Sequence, residues 1–117
     1  MLVKIHARGL SLSENLKRYT ESKIRMALGI YGDRIKRADI FLKDINGPRG
    51  GMDMDCKITI RPDGQPAITV QKTTADMYDA INVCSQKIKR AARRRFDRLL
   101  QKRTYRVEND VSEQLSQ

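Results

Sequence analysis

From Thr74 to Arg103 the chain carries one long helical pattern, amphipathic in its first half and flooded with positive charge in its second. Such a rod constrains everything around it. Its apolar stripe must lie on another element, and its charge must face water or an anion. Between Lys87 and Arg106 stand ten cations (Lys87, Lys89, Arg90, Arg93, Arg94, Arg95, Arg98, Lys102, Arg103 and Arg106) against one acid, Asp97. Ten less one gives this segment +9 of the whole chain's +10, so the rest of the protein is close to neutral. Charge focused in this way calls for an anionic partner.

The platform for the rod is legible upstream. Val3, Ile5 and Ala7 alternate with Lys4, His6 and Arg8, the period of a half-buried strand over Leu2 to Arg8. Gly9 ends it. Ser11 with Glu14, or Ser13 directly, offers a cap for a first helix over about Ser13 to Leu28. There Leu12, Leu16, Tyr19, Ile24, Ala27 and Leu28 recur at helical spacing, with Tyr31 as a candidate continuation, and Gly29 or Gly32 supplies the stop. Arg34 to Ile45 returns to period two, with Ala38, Ile40 and Leu42 inward and Asp39, Phe41 and Lys43 outward.

Asn46 to Gly51 combines three glycines with a proline and predicts a mobile loop, with Arg49 as its one cation. A third strand follows, with Met54, Cys56, Ile58 and Ile60 on one side. Pro62-Asp-Gly-Gln65 turns it into a fourth strand around Pro66 to Lys72. Ile68, Val70 and Lys72 are taken as inward there, because that register buries more apolar area than Ala67, Thr69 and Gln71. Thr73 or Thr74 caps the second helix, and Asp76 and Asp79 sit in its first turns, where the helix dipole favours acids.

The order βαβββα predicts an α+β fold: a four-stranded mixed sheet, strands one and two parallel, with both helices on one face. Residues 1–103 form one domain, and 104–117 are expected as a short, flexible polar tail. The other face of the sheet, with Lys4, His6, Asp39, Lys43, Asp53, Asp55 and Lys57, is expected to be mixed in charge and solvated.

At about 100° per residue, Met77, Ile81, Cys84, Ile88, Ala91, Ala92 and Leu99 share the stripe that packs on the sheet. Arg95 falls in its middle. Either the helix has left the sheet by then or Arg95 snorkels at the edge. Strands of this size reach ~27 Å and the helix ~43 Å. That favours the first reading, with a packed half to about Ala92 and a projecting half from Arg93. Lys87, Arg90, Arg94 and Arg98 lie along one flank, and Lys89 and Arg93 along another. Like charges at these spacings cost a bare helix about 0.2–0.5 kcal/mol per pair, a cost that a bound polyanion removes. Charge alone does not separate RNA from DNA.

Other functions have little to stand on. No apolar run approaches the ~20 residues of a membrane span, and the N-terminus lacks the apolar core of a signal peptide, so a soluble cytoplasmic protein is expected. Cys56 and Cys84 fall on apolar faces without a metal-ligand spacing and read as reduced packing residues. His6 has no partner ligand. Asp53 and Asp55 share one strand face and could hold magnesium with Asp39 or Asp44, but solvated face charges are the simpler reading. No catalytic residue, metal, cofactor, small-molecule substrate or membrane partner is expected.

Asp76-Met-Tyr-Asp-Ala-Ile81, followed by Lys87-Ile88 and Arg90, resembles the second helix of the ribosome hibernation-promoting factor and ribosome-associated inhibitor A family. The resemblance extends through Leu16 to Tyr19, Lys23-Ile24 and Asp33-Arg-Ile35, covering about residues 1–103. It implies a βαβββα domain similar to double-stranded RNA-binding domains. That domain would lodge in the small ribosomal subunit near the mRNA channel and tRNA sites and block translation in slow growth or stationary phase. It also implies rRNA contact through both helices, with Lys23 and Arg25 on the first and Lys87, Lys89, Arg90, Arg93, Arg94 and Arg98 on the second as candidates. Of these, Lys23, Lys87, Arg90 and Arg94 match basic positions of the family. The chain reads as a short form, monomeric when bound. It departs from the pattern at Asn82, at Ala91-Ala92, at Met26, where a basic residue is common, and in the extra charge of Arg93-Arg-Arg95. A general RNA- or DNA-binding module is the competing expectation.

Overall fold

The computed structural model describes the backbone of residues 1–45 and 53–115, with side chains as far as Leu100. The loop expected at Asn46 to Gly51, with Arg49, and the side chains of Lys102, Arg103 and Arg106 lie outside the described residues. The elements are β1 (Leu2–Arg8), α1 (Glu14–Leu28), β2 (Ile35–Asp44), β3 (Met54–Pro62), β4 (Ile68–Thr74) and α2 (Met77–Leu115). A 3-10 turn over Gly29–Arg34 joins α1 to β2. The sheet order is β1-β2-β3-β4, with the first pair parallel and the other two antiparallel. This is the α+β arrangement that the alternation predicts.

Local chemistry explains the boundaries. Ser13 Oγ accepts the Leu16 amide at 3.1 Å, so Ser13 rather than Ser11 caps α1. Neither Gly29 nor Gly32 takes a left-handed conformation, and the helix tightens into the 3-10 turn instead. Gly9 does need to be glycine. Its φ is +75°, and a Cβ there would lie 3.0 Å from the Asp44 carbonyl oxygen. At the start of α2, Ala80 donates to the Asp76 carbonyl at 3.0 Å, which puts Asp76 in the cap position. Asp76 therefore takes the place expected of Thr73 or Thr74, and Thr74, two residues earlier, accepts the Asp76 amide at 3.3 Å.

α2 packs on β3 and β4, while α1 packs on α2 and β1. Ile40, Ile58 and Ile60 of the sheet meet Leu16, Ile24 and Leu28 of α1, and Ile81, Cys84, Ile88 and Ala92 of α2, all buried. Ile68 is buried and Val70 half-buried, so the apolar register assumed for β4 is the one formed. Cys56 and Cys84 are free and fully buried, the Cys84 thiol donating to the Cys56 carbonyl at 3.3 Å. The hydrogen bond with Cys84, together with burial, pushes the Cys56 thiol well up.

Two expectations about the end of α2 are corrected. The packed part does not stop near Ala92: Phe96 is 5% exposed and stacks on Tyr31 with ring centroids 4.6 Å apart, and Leu99 also packs against the core. The length comparison counted only the strands, whereas the 3-10 turn adds a ledge that carries Tyr31 and places the Arg34 guanidinium 5.7 Å from the Phe96 ring. Arg95 accordingly has not left the sheet. It is half-buried and reaches out to donate to the Pro66 carbonyl at 2.9 Å, which is the snorkelling alternative. The helical backbone also continues past Arg103 through Leu115, over a stretch without glycine or proline to break it.

Phe96→Ala is expected to destabilise the protein by about 3–5 kcal/mol. Ile30→Ala, at an exposed position of the 3-10 turn, should stay within ~0.5 kcal/mol. Urea unfolding followed by circular dichroism measures both. Iodoacetamide should modify Cys56 and Cys84 only once the protein is unfolded, as mass spectrometry across a urea series would show.

Candidate nucleic-acid interface

The same stripe that buries Ile81, Cys84, Ile88 and Ala92 forces the cations of α2 outward onto two flanks. Lys87, Arg90, Arg94 and Arg98 all remain exposed along the flank nearest β4. Lys87 Nζ donates to the Gln71 carbonyl of β4 at 3.2 Å, which sets the side of the sheet on which this row lies. At its far end Arg98 joins Arg95, Leu99, Gln65 and Pro66 around a shallow cavity of about 190 Å³. The row is therefore a ramp of guanidinium and ammonium groups beside the β3–β4 turn.

The second flank faces α1. Lys89 shares a groove of about 180 Å³ with Lys23, Met26, Ala27, Asn82, Ser85 and Gln86. This groove brings one candidate from each helix together. Lys23 Nζ sits 5.5 Å from the Tyr19 ring centroid, and Tyr19 meets Tyr78 edge-to-face with centroids 4.9 Å apart. Burial, then the charges of Asp79 and Asp76, raises the Tyr19 hydroxyl above its ordinary value, so it stays a neutral donor. The groove is thus lined by two cations, Lys23 and Lys89, with the neutral polar groups of Asn82, Ser85 and Gln86 between them. Ser85 and Gln86 were not singled out in the sequence, and Asn82 only as a departure from the family pattern. Their signal was the spacing of three to four residues that they share with Lys89.

Two candidates stand apart. Arg25 is exposed in the last turn of α1, about 200° round the helix from Lys23 at ~100° per residue, so it does not join the groove. Arg93 is exposed and lies 3.8 Å from Asp97 one turn on, a solvent-screened pair of small worth. Charge on the candidate residues is otherwise not neutralised by acids among the described residues.

The opposite face of the sheet is more structured than solvated charge. Asp39, Asp53 and Asp55 are buried, contrary to the expectation of wet carboxylates. Arg37 Nε donates to both oxygens of Asp39 at 3.0 and 2.8 Å, and His6 Nε2 lies 3.0 Å from the same carboxylate. Asp55 accepts from Gln71 at 2.9 Å and from Thr73 at 2.9 Å. Arg37 sits two residues before Asp39 on β2 itself, whereas His6, Gln71 and Thr73 reach across from neighbouring strands, which alternation within one strand cannot show. Among the described residues, no three His, Cys, Asp or Glu side chains group as a metal site would require.

A family model covering residues 3–100, described as sigma 54 modulation protein / S30EA ribosomal protein, matches the chain. The chain belongs to that family. The membership agrees with the resemblance carried by the Asp76-Met-Tyr78 box. Two solved structures share the fold. The N-terminal domain of Protein Y from Thermus thermophilus is 21% identical, with a TM-score of 0.67, over 80% of this chain and 98% of that one. A ribosomal subunit interface protein from Coxiella burnetii is 19% identical, with a TM-score of 0.67, over 78% of this chain and 92% of that one. No curated protein compared with the chain matches it. The S30EA match ends at residue 100, close to Leu99, the last described side chain packed on the core.

Burial would raise the Asp39 carboxyl, but the hydrogen bonds and charges of Arg37 and His6 outweigh it and hold the group below the usual carboxylate range. A depressed folded value stabilises the protein above the unfolded value near ~3.9, and that contribution disappears as pH falls through the folded value. Asp39→Asn should therefore lower stability at neutral pH and flatten its decline in acid. Urea midpoints measured from pH 7 down to the acid limb give the comparison.

Proposed function

We propose that this chain is a ribosome-associated hibernation factor. It binds small-subunit rRNA near the mRNA channel and tRNA sites and blocks translation in slow growth or stationary phase. The observation that carries the reading is the division of the α2 cations into two exposed flanks in a chain of the S30EA family. Lys87, Arg90, Arg94 and Arg98 on one side and Lys89 with Lys23 on the other can meet phosphates of two strands at once. Arg93 and Arg25 extend the charged surface. Arginine predominates in the row, and its planar fork suits bidentate phosphate contact.

The S30EA description and a neighbour that is a ribosomal subunit interface protein support the ribosome as partner. The family is one of modulation and ribosomal proteins rather than enzymes, and the proposed action is steric: a domain seated in the channel excludes tRNA and mRNA. The cytoplasm follows as the site of action, and no described helix is long and apolar enough to cross a membrane. The protein is expected to act as a monomer on the subunit. A general RNA or DNA binder would show the same basic rod but no preference for ribosomal particles.

Replacing Lys87, Arg90 and Arg94 together by Ala should release the protein from small subunits in sucrose-gradient sedimentation at physiological salt. The melting temperature should stay the same or rise, because like-charge repulsion along α2 is relieved. Retained cosedimentation would place the rRNA contact on another face. Absence of the unaltered protein from ribosomal fractions would favour the general binder.

A further inference from the structure

The outward face of the sheet carries a feature that the helix flanks do not use. Strand register aligns His6 of β1, Phe41 of β2, Lys57 of β3 and Gln71 of β4 in one row across all four strands. His6 and Phe41 stack, with ring centroids 4.7 Å apart and planes 14° from parallel. The Phe41 residue is 40% exposed and the His6 side chain 44% exposed, so an apolar aromatic surface is held open to solvent. Lys57 Nζ lies 5.9 Å from the Phe41 centroid. Next to the stack is a cleft of about 420 Å³ whose lining includes Arg8, Lys43 and Lys57.

The acids of this face offset those cations only in part. Asp39 is paired with Arg37 and His6, and Asp55, which also lines the cleft across from Lys43 and accepts from the neutral Gln71 and Thr73, sets one negative charge against three positive ones. Among the described residues, Arg8, Lys43 and Lys57 enter no ion pair. The face therefore presents an aromatic stack flanked by Arg8, Lys43 and Lys57. That combination suits an unpaired nucleobase, whose π-face can extend the stack while its flanking phosphates meet the lysines and arginine.

We propose that the open face of the sheet is a second nucleic-acid site, which takes an unpaired base of single-stranded RNA on the His6–Phe41 stack. Arg8, Lys43 and Lys57 hold the adjoining phosphates. RNA is chosen as the polymer because the family is ribosomal, so that choice rests on the proposed function. The stacking and the charge do not rest on it. With the helix flanks on the other side of the domain, the protein would bridge a structured RNA and a loose strand.

The chain contains no tryptophan, so Phe41→Trp creates a fluorophore unique to this site. It is placed in a K87A/R90A/R94A/R98A background, which removes the main helix row and lowers competition from α2. Circular dichroism checks the fold. Titration at low salt with an oligouridylate of about eight nucleotides should quench the emission saturably. In the same background, Phe41→Ala should weaken fluorescence-anisotropy binding of that oligonucleotide at least about fivefold. No quenching, or an unchanged affinity in Phe41→Ala, would overturn the proposal. Equal quenching by tripolyphosphate would overturn it by reducing the site to an anion patch, and equal quenching by duplex RNA by reducing it to backbone contact.

Discussion

The seating of the α2 stripe on β3 and β4 is the contact on which the rest of the structure depends. Ile81, Cys84, Ile88 and Ala92, spaced three and four apart, fix the rotation of the helix about its axis. A turn of about 100° either way would drive Lys87 or Lys89 towards the core. Burying an unpaired ammonium costs several kcal/mol, far more than the few tenths lost to each like-charge pair on the surface. Core packing thus decides where every cation points, and repulsion along the rod is a small cost beside it.

Much of this was legible in the sequence, because one face of each element is apolar. Alternation with period two fixed the inward set of β2 and β3, and the stop at Gly9 marked the close approach to Asp44. The end of α2 was less readable. Phe96 falls to the side of the Ile88–Ala92 line, and its burial depends on Tyr31, which sits sixty-odd residues upstream on a 3-10 turn; the helical spacing of the first helix reaches Tyr31 but does not show that it meets Phe96. Arg95 has a core angle yet a surface role, because its stem lies over the edge of the sheet and its head reaches the Pro66 carbonyl. Only the path of the β3–β4 turn reveals that partner.

The candidate site was readable residue by residue but not as a shape. Charge counting found the row from Lys87 to Arg98, and helix angle separated it from Lys89 and Arg93. The groove that joins Lys89 to Lys23 requires the relative placement of two helices, which no local pattern encodes. The sheet face was harder still. Its strand-by-strand alternation suggested mixed, solvated charge, whereas strand pairing brings His6 to an Asp39 already held by Arg37 of its own strand, and Gln71 and Thr73 to Asp55, leaving Arg8, Lys43 and Lys57 in excess over the Asp55 carboxylate.

The central claim is that the exposed cations of α2 and α1 engage phosphates of the small subunit. The direct measure is the slope of log K against log salt concentration for binding to purified small subunits. Each phosphate engaged contributes about −0.7 to −0.9. Six to eight of the candidate residues acting together therefore give a slope of about −4 to −7. A slope near −1 would contradict the account, because the rod of charge would then be solvated in the complex rather than bound.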